Sequence, residues 1–406
     1  MAFRDISIAF HAIALIALAA CAGGHTPDNH EPVAKGGGYQ AQYRDFSRRS
    51  KDKLTLLSER MNAQNCLPFG GNGGGGKYAG RAPAALRGEL LSRGDLLDLR
   101  VPDDDTFTGQ FEISRDGTLK LPFISPIAAQ GRSTDQVVAD IREALVSGGY
   151  YVLEPEISLL VMDFSSARVG VNGAVFEPQT VEIGRVSADD RDDLRQAARG
   201  GSTEGRNLSV ALRNAGGVRP DADLSAVRLT RGGTNYVIDL RGAIEGRSFD
   251  DVMLLTGDEI NVPSRQCFQD DLMQPSPISP PGVSLYMSNL TLPADSNAGS
   301  AIGQTVREVP YGTRYMQAVI DANCVGGARA TSADRSAALF SRNPMTGVSA
   351  VIERRVEEMR MRPDRDDYDP YLLPGDAIAC YDSDVTNLDE AARVFGVVAA
   401  GVMLVR

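Results

Sequence analysis

The chain has 406 residues, 42% of them apolar, and a formal charge of -11. That length has room for about two to four domains with real cores. The acidic balance argues against a general nucleic-acid binder, which needs a basic face to neutralise phosphates. All three histidines, His11, His25 and His30, lie within the first thirty residues, and there is no tryptophan. The remaining body therefore cannot hold a Ser-His-Asp or Cys-His catalytic pair, nor a His-based zinc site. No motif implies a metal or a cofactor. Carboxylate chemistry survives this filter, but runs such as "DDRDD" (189–193) read as solvated charge.

Residues 1–20 begin "MAFRDI" and continue as an apolar run that ends in small residues before Cys21. An apolar run of about 13 residues is too short for a membrane span and fits a signal peptide. "LAAC" (18–21) resembles a bacterial lipobox, which implies lipid on Cys21 and a cut before it. Ala22 after that cysteine points to the outer membrane. Residues 21–85 are taken together as the lipidated N-terminus, a tether rich in Gly and Pro, a helix within 39–65, and a Gly-rich linker, "GGNGGGGKYAGRAP" (70–83). No GK[ST] follows those glycines, so phosphate cradling is not expected.

From residue 86 the pattern is that of an α+β domain. "LLSRGDLLDLRVP" (90–102) sets Gly94-Asp95 before a strand-like run. Asp116-Gly117 reads as a hairpin turn between two alternating strands. "STDQVVADIREALVSGGYY" (133–151) has a Ser/Thr start and Val137, Ile141 and Leu145 four apart, an amphipathic helix. "EPEISLLVMDF" (154–164) is a further strand. This order resembles the first domain of the outer-membrane polysaccharide export family, the Wza-like lipoproteins. Gly94-Asp95, Asp116-Gly117, Leu121-Pro122, Gly131, Thr134 and Pro155 occur in the family's order, while Ser125-Pro126 stands where the family usually has a glycine.

"ARVGVNGAVFEPQTVEI" (167–183) resembles the opening of a soluble-ligand-binding β-grasp (SLBB) domain, with Gln179 in place of a usual glycine. A helix ending at Gly216-Gly217 follows. Then come "VRLTRGGTNYVIDL" (227–240) and "LLTGDEINVPS" (254–264), which carries Gly257-Asp258. The same order returns from 315 to 383: Gly326-Gly327 ends a helix, "AALFSRN" (337–343) matches "AVRLTRG" (226–232), "SAVIERR" (349–355) matches "NYVIDLR" (235–241), and "LLPGDAIACYDS" (372–383) carries Gly375-Asp376. The expected fold is multidomain α+β: an export domain over 86–165, β-grasp domains over 166–265 and 266–383, and a C-terminal helix over 384–406. Beyond Cys21, four cysteines remain, and an even number in an exported chain favours disulfides. The repeat pairs Cys324 with Cys380, which leaves Cys66 with Cys267.

The closing stretch, "NLDEAARVFGVVAAGVMLVR" (387–406), is helical in pattern. Ala392, Gly396 and Ala400 form a small-residue stripe, and Leu388, Val398 and Val405 are apolar. Its uncharged part is only about 18 Å long, so docking on a soluble core competes with a membrane span. The family resemblance favours the span, since its C-terminal helices cross the outer membrane in a ring. It further implies a homo-oligomer, commonly an octamer, whose lumen passes capsular or extracellular polysaccharide. The implied partner is an inner-membrane co-polymerase or an ABC-type exporter. The body would lie in the periplasm, lipid-anchored to the outer membrane, without enzymatic activity. The alternative is a monomeric periplasmic glycan-binding lipoprotein. A carboxylate glycosidase would need two poised acids, and no pair stands out.

Overall fold

The computed structural model describes residues 66–71, 81–184, 204–289, 306–322, 336–361 and 368–381. The signal peptide, Cys21, the tether, the helix within 39–65, most of the Gly-rich linker, Cys324 and the segment 384–406 lie outside the described residues. The chain divides into two compact units, one of residues 65–281 and one of 1–64 with 282–406. The architecture is mixed α/β, with several sheets and few helices.

In the first unit, β1 (Leu96–Arg100), β2 (Gly109–Glu112), β3 (Thr118–Leu119), β4 (Ile127–Ala128), α1 (Thr134–Ser147) and β5 (Ser158–Asp163) build the export-type domain. β1 lies between β2 and β5, antiparallel to both. The expected hairpin across Asp116-Gly117 forms as a turn only: β2 pairs with β1, while β3 pairs with β4. Asp116 accepts hydrogen bonds from the Thr118 N–H and hydroxyl and thereby shapes that turn. Ser133 and Gln136 close a capping box on α1, whose Val137, Ile141 and Leu145 are buried against Leu97, Leu99 and Leu119.

The same unit continues with β6 (Ala167–Gly173), β7 (Gln179–Ile183), α2 (Leu208–Asn214), β8 (Val227–Arg231), β9 (Thr234–Ile238), α3 (Gly242–Glu245) and β10 (Glu259–Val262). The five strands run in the order β7-β6-β10-β8-β9, with β6 and β10 parallel at the centre and the other pairs antiparallel. Leu208 and Leu212 of α2 pack with Val169, Leu229 and Ile260 on one face of this sheet. The sequence reading began the next domain at residue 266. Leu272 and Ile278 instead join this core, and the compact unit ends at Pro281. Ala82 and Leu86 join it as well.

Residues 66–71 are strapped to this second domain. Cys66 is disulfide-bonded to Cys267 with Cα atoms 4.9 Å apart. The Leu67 N–H donates to the Arg265 carbonyl, and Phe69 lies under the guanidinium groups of Arg265 and Arg241, 3.8 and 5.2 Å from its ring centre. A side chain at Gly71 would start 2.2 Å from the Ser225 carbonyl oxygen, so only glycine fits there.

In the other unit, β11 (Val283–Asn289), β12 (Val306–Val309), α4 (Tyr315–Asp321), β13 (Ser336–Arg342), β14 (Ser349–Arg355), α5 (Val356–Met361) and β15 (Ala377–Tyr381) repeat the pattern. The order is β12-β11-β15-β13-β14, again with the first and last strands, β11 and β15, parallel at the centre. The strand pairing also corrects the sequence match by one residue. Leu229 opposes Ile260 as Leu339 opposes Ile378, so Ser341 stands in the place of Arg231, not Thr230. The hairpin turns differ in length, and Arg354 takes the place of Ile238.

Candidate functional site

The three Gly-Asp motifs form one structure three times. Each glycine has positive φ: 83° at Gly94, 96° at Gly257 and 88° at Gly375. A left-handed glycine at the third position makes this a type II turn. The aspartate N–H donates back to the carbonyl three residues earlier, at 3.2, 3.0 and 3.1 Å for Asp95, Asp258 and Asp376. One carboxylate oxygen accepts the N–H of that same residue: Ser92 at 2.7 Å, Leu255 at 2.8 Å and Leu373 at 2.9 Å. The side chain thus locks the turn, and all three aspartates are buried.

The other carboxylate oxygen is held differently each time. Asp95 accepts from Arg206 at 2.8 Å and from the Ser165 N–H and hydroxyl at 3.0 and 3.1 Å. At Asp258 the second oxygen accepts from Nε of Arg231 at 3.0 Å, while Nη2 of the same arginine donates at 2.6 Å to the oxygen that already holds the Leu255 N–H. At Asp376, among the described residues, the second oxygen receives the Ser341 hydroxyl alone, at 2.5 Å. Burial, opposed by the Leu373 N–H and the Ser341 hydroxyl, pushes the Asp376 carboxyl up to about 7. At Asp95 burial also raises the carboxyl, against the pull of Arg206, and burial lowers the Arg206 guanidinium in turn.

The first two turns abut. The Thr256 N–H donates to the Ser92 hydroxyl at 3.3 Å, and the Gln130 amide donates to the Thr256 carbonyl at 3.3 Å. Arg206 completes the junction. Its guanidinium is buried between Asp95, the Leu254 carbonyl and the Phe164 ring. The motif is therefore a seam between the export-type domain and the domain after it, as well as a strand entry.

Two further carboxylates recur and were not singled out from the sequence. Asp251 accepts the Ser209 N–H at 3.0 Å, and Asp369 accepts the Met316 N–H at 2.7 Å. Each serves the first turn of α2 or α4 from outside the helix. Their signal was present: each stands seven residues before its turn aspartate. Asp251 is itself raised by burial, against the Ser209 hydrogen bonds.

A cleft lined by Arg100, Asp103, Asp104, Asp105 and Glu156 gathers acids. Asp104 there is taken up by the Thr106 and Phe107 N–H groups and the Tyr151 hydroxyl. Among the described residues no group of His, Cys, Asp or Glu could hold a metal ion, and no helix is long and apolar enough to cross a membrane. Leu388, Ala392, Gly396, Val398, Ala400 and Val405 lie outside them. Cys380, on β15, is disulfide-bonded.

The strands and helix around the first turn coincide with a known family. Residues 84–162 match the model of the polysaccharide biosynthesis/export protein family. The chain is 26% identical over 184 residues to the EPS I polysaccharide export outer membrane protein EpsA of Ralstonia solanacearum, covering 44% of this chain and 43% of that protein. It is 25% identical over 206 residues to the protein of the same name from Ralstonia nicotianae, covering 49% of each. The match thus spans less than half the length of these curated relatives. The likeness to the polysaccharide export family read from the sequence is upheld.

Proposed function

We propose that this protein is an outer-membrane lipoprotein whose copies assemble into a conduit for capsular or extracellular polysaccharide. The observation that carries the reading is the export-family match over 84–162, followed by two sheets of one topology. A mixed sheet with its first and last strands parallel at the centre, and a helix between the second and third, is the β-grasp arrangement. This supports reading 167–262 and 283–381 as tandem SLBB-like domains. The relatives are named as polysaccharide export outer membrane proteins, which favours the same location here.

In this reading Cys21 carries the lipid, Cys324 pairs with Cys380, and residues 388–405 cross the outer membrane as one stave of a ring. An inner-membrane co-polymerase or ABC-type exporter delivers the polymer. The protein works by shape, with no bond made or broken. The test is removal of the chain from cells that coat themselves with polysaccharide, together with electron microscopy of the detergent-extracted protein. Loss of surface polymer with retention behind the outer membrane, and ring-shaped particles, are expected. Normal surface polymer and single-chain particles would favour the monomeric glycan-binding alternative.

A further inference from the structure

One end of the export-type domain presents apolar side chains that its core does not use. After α1, Gly149 turns the chain at φ 76°, and the Tyr150 and Tyr151 N–H groups return to the Leu145 carbonyl. The Tyr150 hydroxyl donates to the Phe123 carbonyl at 3.0 Å, which ties this loop to the one between β3 and β4. The Tyr151 hydroxyl is held by Asp104, and the Pro155 carbonyl accepts from Nε of Arg142 at 3.3 Å. The chain is thus fastened on both sides of Val152 and Leu153, yet these are 96% and 81% exposed. Phe123 is 78% exposed and has φ 62°, a conformation that bulky residues rarely hold. Single exposed hydrophobes are ordinary. With Tyr150 these three show roughly 400 Å² of apolar surface, the size that marks an interaction site. The flank of this tip is acidic. Exposed Glu154 follows it, and exposed Asp103, Asp105 and Glu156 line the cleft of about 490 Å³ already described. Among the described residues no cation pairs with Asp103, Asp105 or Glu156, while Arg100 in the cleft wall is taken by Asp98.

We propose that this end of the domain docks a segment of a different protein, one that carries large apolar side chains flanked by Lys or Arg. The apolar side chains cover Val152, Leu153 and Phe123, and a basic side chain enters the acidic cleft. A stable interface takes about 800 Å² from each partner, with an apolar centre and a polar rim, and the tip and cleft have that layout. Charge complementarity selects the occupant. A lipid surface is bound by apolar side chains set among Lys and Arg, and here the setting is acidic. A second copy that docked by the same patch would bring acid against acid. A glycan needs partners for its hydroxyls, and Val152 and Leu153 offer none. The inference goes beyond the conduit reading and stands whether or not the copies form a ring.

The test uses the full chain in the cells that make it, with the photo-crosslinking residue p-benzoylphenylalanine in place of Val152. Mass spectrometry maps what it captures. The expected product joins Val152 to another protein, at a segment with Lys or Arg within a few residues of the captured apolar side chain. Asp105→Lys with Glu156→Lys should cut the capture by about tenfold, and Leu153→Glu should do the same from the apolar side. All three sites are exposed, so unfolding midpoints should stay close to that of the unaltered chain. The captured segment, made as a peptide, should bind the detergent-extracted full chain and bind either variant about tenfold more weakly. Capture on a second copy, on lipid or on polysaccharide overturns the proposal. So does capture no greater than from the same residue placed at exposed Arg228. Capture that survives the charge reversal in a folded variant overturns the basic partner. These outcomes are read separately from the ring-shaped particles on which the conduit reading depends.

Discussion

The domains at 167–262 and 283–381 share strand order, turn geometry and an external carboxylate on the helix start. They differ in how they neutralise the buried turn aspartate. Asp258 sits in a two-pronged ion pair with Arg231, whereas Asp376 has one hydroxyl and one N–H. The second domain keeps a cation elsewhere: Arg354, fully buried at the place of Ile238, lies 4.6 Å from the Tyr368 ring centre. One fold therefore tolerates two charge plans. The hydrogen bond that shapes the turn is common to both, and the partner of the second oxygen is free to vary.

The largest expected effect separates the strapped domain from its repeat. Cys66→Ser with Cys267→Ser opens a loop of 201 residues, which the chain-entropy model values at about 5 kcal/mol. Chemical unfolding should show the loss in the first unit. An unchanged midpoint there would mean that the strap holds without its covalent bond.

Next, Arg231→Ser gives Asp258 the partner set of Asp376. Removing one member of a buried ion pair costs about 3–5 kcal/mol. If the first domain unfolds no earlier, as followed by amide exchange on β8 and β10, its arginine is not needed and the comparison fails.

A rising pH should weaken the second domain. The Asp376 carboxyl titrates near 3.8 when unfolded and at about 7 when folded, so the folded form holds the proton longer. The stability this contributes is full below about pH 4 and is lost as pH rises through about 7, for at most roughly 4 kcal/mol. Asp376→Asn should remove that slope and stabilise the domain at pH 8, with little gain at pH 4. Urea midpoints across this range, with and without the substitution, decide it.

The smallest effect should be the same in both domains. A side chain at Gly375 would meet nothing within 4 Å, and at Gly257 only Arg93, at 3.7 Å. Alanine at either site should cost about 1 kcal/mol through positive φ alone. Unequal losses in thermal unfolding would show that the two turns are not equivalent.

Much of this was legible in the sequence because glycine conformation and strand alternation are local. Gly94, Gly257 and Gly375 marked the turns, and the order of elements marked the repeat. The partners of the aspartates were not legible. Arg206 is 111 residues from Asp95, and nothing near it distinguishes it from an exposed arginine. Matching Ser341 to Thr230 by chemical likeness slipped the register by one residue, which exchanges the two faces of a strand. With that slip exposed Phe340 was set against buried Leu229. The domain limit at 265 failed for a related reason: the hydrophobes of 267–278 look the same whichever core they enter.

The disulfide between Cys66 and Cys267 has a mechanical meaning. Everything from residue 67 to 266, the export-type domain included, lies within one covalently closed loop. Tension drawn on the chain upstream of Cys66 passes through two sulfur atoms to Cys267, just past the end of β10 (Glu259–Val262), and goes around the three-stranded sheet. A domain held in a closed loop can be jostled without being unravelled.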